Sequence, residues 1–299
     1  KEVYIENRAK FISHLKPGGL AVFTSNDIYP TGSDSTLPFR QHGDILALSG
    51  VDQEESILVI FPDAYKEEHR EMLFLKETNE HIAIWEGAKL DKNSATELSG
   101  IQSIYWLQDF EKIFNEVMSH AEFIYLDTNE HLRADPTVET RGDRFVKWCK
   151  NKYPVHNYQR SAPIMHRVRA IKTPGEIEAM TKAAEITTQA YKRVLKFMQA
   201  GKWEFELEAE FMHEFLRNRS RGFAYTPIIA GGFNACVLHY IENKDQLRDG
   251  DLVLFDVGAE YANYSCDVTR CYPVNGKYTD RQKEIYSTVL RVKKEAEKL

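Results

Sequence analysis

The stretch LVLFDVGAEYANYSCDVTR, Leu252 to Arg270, sets Asp256 inside the run Leu-Val-Leu-Phe-Asp-Val and places a second carboxylate, Asp267, eleven positions further on. The apolar alternation on either side reads as the two arms of a β-hairpin with its tip near Tyr261 and Ala262. With that tip, Asp256 and Asp267 stand directly opposite one another on the same side of the sheet. Opposed residues have Cβ atoms about 4.5–5.5 Å apart, and like charges at that distance destabilise the ladder. A one-residue slip would turn one aspartate to the other face.

Such a pair persists if one carboxylate takes up a proton, if arginines neutralise it, or if a cation lies between the two. Arg248 and Arg270 are the nearby guanidinium groups. Arg270 is three residues from Asp267, so in a regular strand it points the other way. A divalent cation fits better, because an oxygen-rich site suits a hard or borderline metal such as Mn2+. Taken singly, each aspartate also fits a structural reading, since carboxylates at strand ends cap turns.

His239 lies just upstream in GGFNACVLHYIEN, Gly231 to Asn243, and is expected at the end of an apolar strand. It is either a hydrogen-bonded core residue or an imidazole aimed at the same cavity as the aspartates. In the second case it could donate to a substrate carbonyl or shuttle a proton. Gly231 and Gly232 either admit a substrate backbone closely or form a turn.

On the amino-terminal side the pattern differs. A helix over about residues 2–15 stops at KPGG, and LAVFTS, ILALSGV, SILVIFPD, EMLFLKE and FIYLD read as strands. DFEKIFNEVMSH and RGDRFVKWCKNKY carry helical spacing, which makes residues 1–165 an α/β domain. Residues 166–299 open with Thr173-Pro174-Gly175-Glu176, a capping box with proline at the first helical position. That helix is expected to run to about Gln199, followed by EFELEAEFMHEFLRNRS as a second helix. The strands YTPIIAGG, ACVLHYI, DLVLFDVGAEY and YSCDVTRCYPV then give an α+β domain.

The totals exclude several classes. A hydrophobic share of 42% with 28% charged residues fits a globular chain, and a net charge of -6 without a basic block speaks against nucleic acid. No apolar run is long enough to span a bilayer, so no membrane partner is expected. The start KEVYIENRAKFISHL lacks a signal-peptide core, and cysteines only at 149, 236, 266 and 271 suit a reducing, cytoplasmic setting.

The run NACVLHYIEN…LRDGDLVLFDVGAEYANYSCDVTRCYPVNGKYTDRQKEIY resembles the catalytic domain of aminopeptidase P, the Xaa-Pro aminopeptidase of the pita-bread metallopeptidases. LPFRQHGDILALSGVDQEESILVIFP, IWEGAKL and RVRAIKTPGEIEAM resemble that family's amino-terminal domain and linker. The resemblance implies a creatinase/aminopeptidase P-type α/β domain followed by the first half of an α+β pita-bread domain. By position, Asp256 and Asp267 match two of five metal ligands, and His239 matches the histidine lining the substrate site. Thr269 matches a residue behind the ligands. Two divalent ions, Mn2+ by expectation, would hold a bridging hydroxide that attacks a peptide with proline in second place. A homodimer or homotetramer is implied as well.

The family's remaining ligands, one histidine and two glutamates, lie further on, yet no histidine follows His239. Glu284, Glu295 and Glu297 have helical spacing with lysines and read as a solvated face. The chain is therefore expected to break off within a helix and to be inactive by itself. Prolidase, cleaving Xaa-Pro dipeptides, is the alternative within the same chemistry; a non-catalytic pita-bread peptide binder is the alternative outside it. In the first domain, PTGSDST and His42 suggest surface loops rather than a catalytic group.

Overall fold

The computed structural model describes residues 1–131 and 137–299. Two compact units divide between Lys172 and Thr173. The change expected after residue 165 falls later because Ala162–Ala170 is a helix whose Ile164, Met165 and Val168 enter the core of the first unit.

The first unit contains α1 (Glu2–Ile12), β1 (Gly19–Thr24), α2 (Gly43–Ser49), β2 (Ile57–Ile60), β3 (Glu71–Leu75), α3 (Glu80–Glu86) and α4 (Lys92–Ser99). It continues with β4 (Ser103–Trp106), α5 (Phe110–Met118), β5 (Phe123–Leu126), α6 (Arg141–Lys152), β6 (Asn157–Arg160) and α7 (Ala162–Ala170). The six strands form one mixed sheet in the order β4-β3-β2-β1-β5-β6. Alternation along β1 feeds two cores. Ala21 and Phe23 pack with Phe11, Ile45, Leu48 and Met165, whereas Leu20 and Val22 pack with Phe114, Val117 and Cys149. The sheet is thus covered by helices on both faces, the α/β arrangement expected.

One expected strand is a helix. ILALSGV folds as α2, closed by Gly50 at φ 73° with its amide bonded to the Leu46 carbonyl. A short apolar run does not separate strand from buried helix by periodicity, and the left-handed glycine that ends it is the helical signal.

The second unit starts with α8 (Pro174–Phe197). The Thr173 amide donates to Glu176 Oε2 at 2.7 Å and the Glu176 amide to Thr173 Oγ1 at 3.4 Å, the capping box read from the sequence. It continues with α9 (Glu204–Arg217), β7 (Ile228–Gly231), β8 (Leu252–Val257), β9 (Glu260–Tyr261), β10 (Tyr264–Ser265), β11 (Val268–Pro273) and α10 (Asp280–Ala296). Strands β11, β8 and β7 form an antiparallel sheet with β8 central. Val253, Phe255 and Val257 face Ile186, Tyr191, Phe211 and Phe215 of the two long helices. Full burial of one such side chain contributes roughly 1.5–3 kcal/mol, so this face fixes which way β8 lies. The alternate residues, Leu254 and Asp256, emerge on the opposite face beside Ile228, Ala230 and Tyr240.

The strand expected at ACVLHYI does not form. Gly232–Cys236 is one turn of 3-10 helix, and Val237, Leu238 and His239 are exposed. In α10 and at its C-cap, Glu284, Glu295 and Glu297 are exposed and paired with Arg281, Lys298 and Lys293, as their spacing with basic residues suggested. The four cysteines are free thiols. No helix among the described residues is long and apolar enough to cross a membrane.

Candidate metal centre

The hairpin bearing the two aspartates turns one residue later than expected at its tip. Ala262 and Asn263, at φ 51° and 66°, form a two-residue loop between Tyr261 and Tyr264. Two successive positive φ values mark the type I′ turn that matches strand twist. The register consequently shifts by two residues, and Asp256 pairs with Thr269 on one side and Ile228 on the other. A shift of two preserves side-chain parity, so Asp256 and Asp267 remain on one face although they are not directly opposed. Gly258 lies where the ladder breaks between β8 and β9. A Cβ there would lie 1.6 Å from the Cys266 carbonyl oxygen, so no other residue fits.

One residue joins the pair that the sequence reading missed. The Tyr225 hydroxyl donates to Asp256 Oδ1 at 2.7 Å and reaches Asp267 Oδ1 at 3.2 Å. Burial, then the hydrogen-bonded Asp256 carboxylate, keeps this phenol protonated far above the ordinary phenol range. A single neutral donor shared by two carboxylates leaves most of their lone pairs open. Among the described residues neither aspartate forms an ion pair, and Arg270 turns its guanidinium to the Thr269 carbonyl instead. Asp256 is half-buried and Asp267 exposed. This acceptor-only oxygen set, with no protein cation, fits a hard divalent ion.

Neighbouring contacts hold the strands beneath the pair. From α8, Tyr191 donates to the Val268 carbonyl at 2.8 Å and lies 3.3 Å from that of Phe255. The Ala259 amide donates to Thr187 Oγ1 at 2.9 Å. Buried Glu260 accepts from the Asn263 amide, closing the turn. Thr269 sits on β11 directly across from Asp256. His239 lies on an exposed turn, and no hydrogen bond joins it to the aspartates among the described residues.

A second acidic pair lies in the first unit. His42, Asp44 and Asp127 place ligand atoms within 4.8 Å of one another. Here the charges are already answered. Arg169 donates to Asp44 Oδ1 at 2.7 Å, and Ser161 donates to Asp127 Oδ1 at 2.9 Å. Burial, then the charge of Asp44, pushes the Asp127 carboxyl well above the usual carboxylate range. Burial lowers the His42 pKa, which leaves the imidazole neutral beside Asp127 at 3.3 Å.

Comparison with known proteins shows what the chain is similar to. The model of the aminopeptidase P N-terminal domain matches residues 4–125, and that of metallopeptidase family M24 matches residues 178–299. The Xaa-Pro aminopeptidase of Escherichia coli is 31% identical over 291 residues, which cover 97% of this chain and 66% of the relative. The chain belongs to the aminopeptidase P family. The Xaa-Pro aminopeptidase of Haemophilus influenzae is likewise 31% identical, over 99% of this chain and 66% of its own length. Zinc-substituted aminopeptidase P of E. coli in complex with product superposes with a TM-score of 0.84 at 29% identity, covering 97% of this chain and 66% of that one. Aminopeptidase PepP of Pseudomonas aeruginosa gives 0.85 at 27%, over 96% and 65%. The chain thus spans about 66% of the length of the aminopeptidase P relatives it matches. Its architecture is the one the resemblance implied, an α/β N-terminal domain followed by part of a pita-bread domain, in a family of metallopeptidases that use divalent metal ions.

Proposed function

We propose that the protein is an Xaa-Pro aminopeptidase, removing the first residue from peptides whose second residue is proline. The observation that carries this reading is the pair Asp256 and Asp267, held on one sheet face by the Tyr225 phenol and, among the described residues, without an ion-paired cation. Asp256 and Asp267 would hold divalent ions, Mn2+ being our choice on the oxygen character of the donors. Such ions, when bound, lower the pKa of water and polarise a peptide carbonyl. Tyr225 keeps the two carboxylates converging, and Tyr191 holds the strands beneath them. His239, on its exposed turn, can donate to a substrate carbonyl or carry a proton to the departing amine.

Two carboxylates fall short of the coordination a dinuclear site needs, so these 299 residues alone are expected to bind Mn2+ weakly and to cleave nothing. Electron paramagnetic resonance titration of the chain with Mn2+ tests the first point. Binding that is absent, or unaltered by Asp256→Ala, would remove the basis of the proposal. Assays of the natural full-length protein on Gly-Pro-Gly against Gly-Pro separate the aminopeptidase from a prolidase, which prefers the dipeptide. Sedimentation of that protein tests the homodimer or homotetramer, and fractionation tests a cytoplasmic location.

A further inference from the structure

Glu204, the first residue of α9, is fully buried, and its carboxylate meets four donors. Oε1 accepts from the Gly231 amide at 2.7 Å and the Asn234 side chain at 3.1 Å. Oε2 accepts from the Tyr240 hydroxyl at 2.7 Å and the Asp245 amide at 2.9 Å. A carboxylate withdrawn from water needs its lone pairs filled, and here every donor comes from one segment, residues 231–245. That segment contains His239 and no regular element beyond a single 3-10 turn; Val237, Leu238 and His239 are exposed, whereas Tyr240 and Asn243 are buried, Asn243 being tied separately to Pro227, Ile229 and Glu208.

The arrangement closes on itself. The Tyr240 hydroxyl, while donating to Glu204, accepts from the Lys244 amide at 3.3 Å, and Asn234 also donates to Asp245 Oδ2 at 2.9 Å. Tyr240 packs with Ile228, Ala230 and Leu254, on the sheet face from which Asp256 emerges. His239 is the residue immediately before this buried ring, so wherever Tyr240 is held, His239 is presented. Gly231, tied to the other carboxylate oxygen, is the last residue of β7 and pairs with Val253 of β8. One buried side chain therefore connects the helix start, the edge of the aspartate sheet and the histidine turn.

We propose that Glu204 is a positioning residue, which through Gly231, Tyr240 and Asp245 fixes the turn presenting His239 on the Asp256 face of the sheet. The role given to His239 rests on the function proposed above; the hydrogen-bonded centre does not. Glu204→Gln is the informative change, because a carboxamide has one acceptor oxygen and sets its NH2 against two donors. In the 299-residue chain, amide exchange at Gly231 and Asp245 should speed by about tenfold or more, the equivalent of one hydrogen bond to a charged group. Amides in the middle of α9 and β8 should change far less. Tyr240→Phe, which removes one donor and keeps the packing, should shift the same two amides by a smaller factor and guards against a Glu204→Gln chain that does not fold. In the natural full-length protein Glu204→Gln should lower kcat by about tenfold with KM and bound Mn2+ little changed. Unaltered exchange at Gly231 and Asp245, equal acceleration throughout α9 and β8, or an unaltered kcat would each overturn the proposal. Failure of the underlying function shows separately, as an unsubstituted protein that neither binds Mn2+ nor cleaves peptide.

Discussion

Asp44 and Asp127 in the first unit, and Asp256 and Asp267 in the second, are both carboxylate pairs assembled from separate parts of the chain. The first pair is buried and answered from within by a guanidinium on Asp44 and a hydroxyl on Asp127, whose carboxyl is pushed by burial well above the usual carboxylate range. The second pair is more open and, among the described residues, receives a shared neutral phenol. Proximity of acids is common to both; what differs is whether the protein supplies positive charge. A buried pair that already has an arginine and a hydroxyl has little left for a metal, whereas a pair left with open lone pairs on a half-covered face does. The second pair is accordingly the one on which the catalytic reading rests, even though only the first brings three ligating side chains together among the described residues.

The largest expected effect bears on how the second pair is built. Gly258→Ala should cost about 4 kcal/mol or more, since a Cβ at that position collides with backbone rather than with a flexible side chain. Urea unfolding followed by a probe in the second unit would show it, with the first unit's transition unmoved. Next, Asp256→Ala should weaken Mn2+ binding by on the order of 100-fold. Asp127→Ala should leave Mn2+ binding unchanged, and the reverse outcome would invert the comparison. Tyr225→Phe removes only the shared donor and should reduce Mn2+ affinity by roughly tenfold, measured by the same titration, with the fold retained.

The smallest effect is in pH dependence and concerns the first pair alone. Asp127 keeps its proton to higher pH in the folded than in the unfolded chain. It therefore contributes stability that is complete below the unfolded carboxylate value, about 3.9, and fades as pH rises through the raised folded value. His42, with its pKa lowered by burial, acts in the opposite sense and costs stability as pH falls through the range below 6.5. Thermal unfolding of Asp127→Asn across that range should lose the alkaline decline and keep the histidine's acidic one. A decline that survives the substitution would mean that the Asp127 carboxyl is not raised by burial as described.

Much of this was legible in the sequence. The Thr173 capping box, the two long helices after it and the β8 alternation that buries Val253, Phe255 and Val257 follow from local rules that tertiary packing did not override. The shared face of Asp256 and Asp267 was legible too, because it depends on parity alone; their exact register was not, since it hinges on Ala262 adopting a positive φ that its residue type disfavours. ILALSGV was ambiguous between strand and helix, and ACVLHYI has a strand's composition, yet the buried Glu204 carboxylate claims the donors around it for a turn. Tyr225 lies 31 residues from Asp256 and 42 from Asp267, and no one-dimensional pattern points from it to either.

The grip of α8 on the hairpin has a practical outcome. Tyr191 and Thr187 anchor the arms at Phe255, Val268 and Ala259, all below the loop at Ala262 and Asn263. The tip is thereby mechanically insulated from its base, and an epitope tag or fluorophore-bearing peptide grafted there is expected to leave the acids of the centre in place.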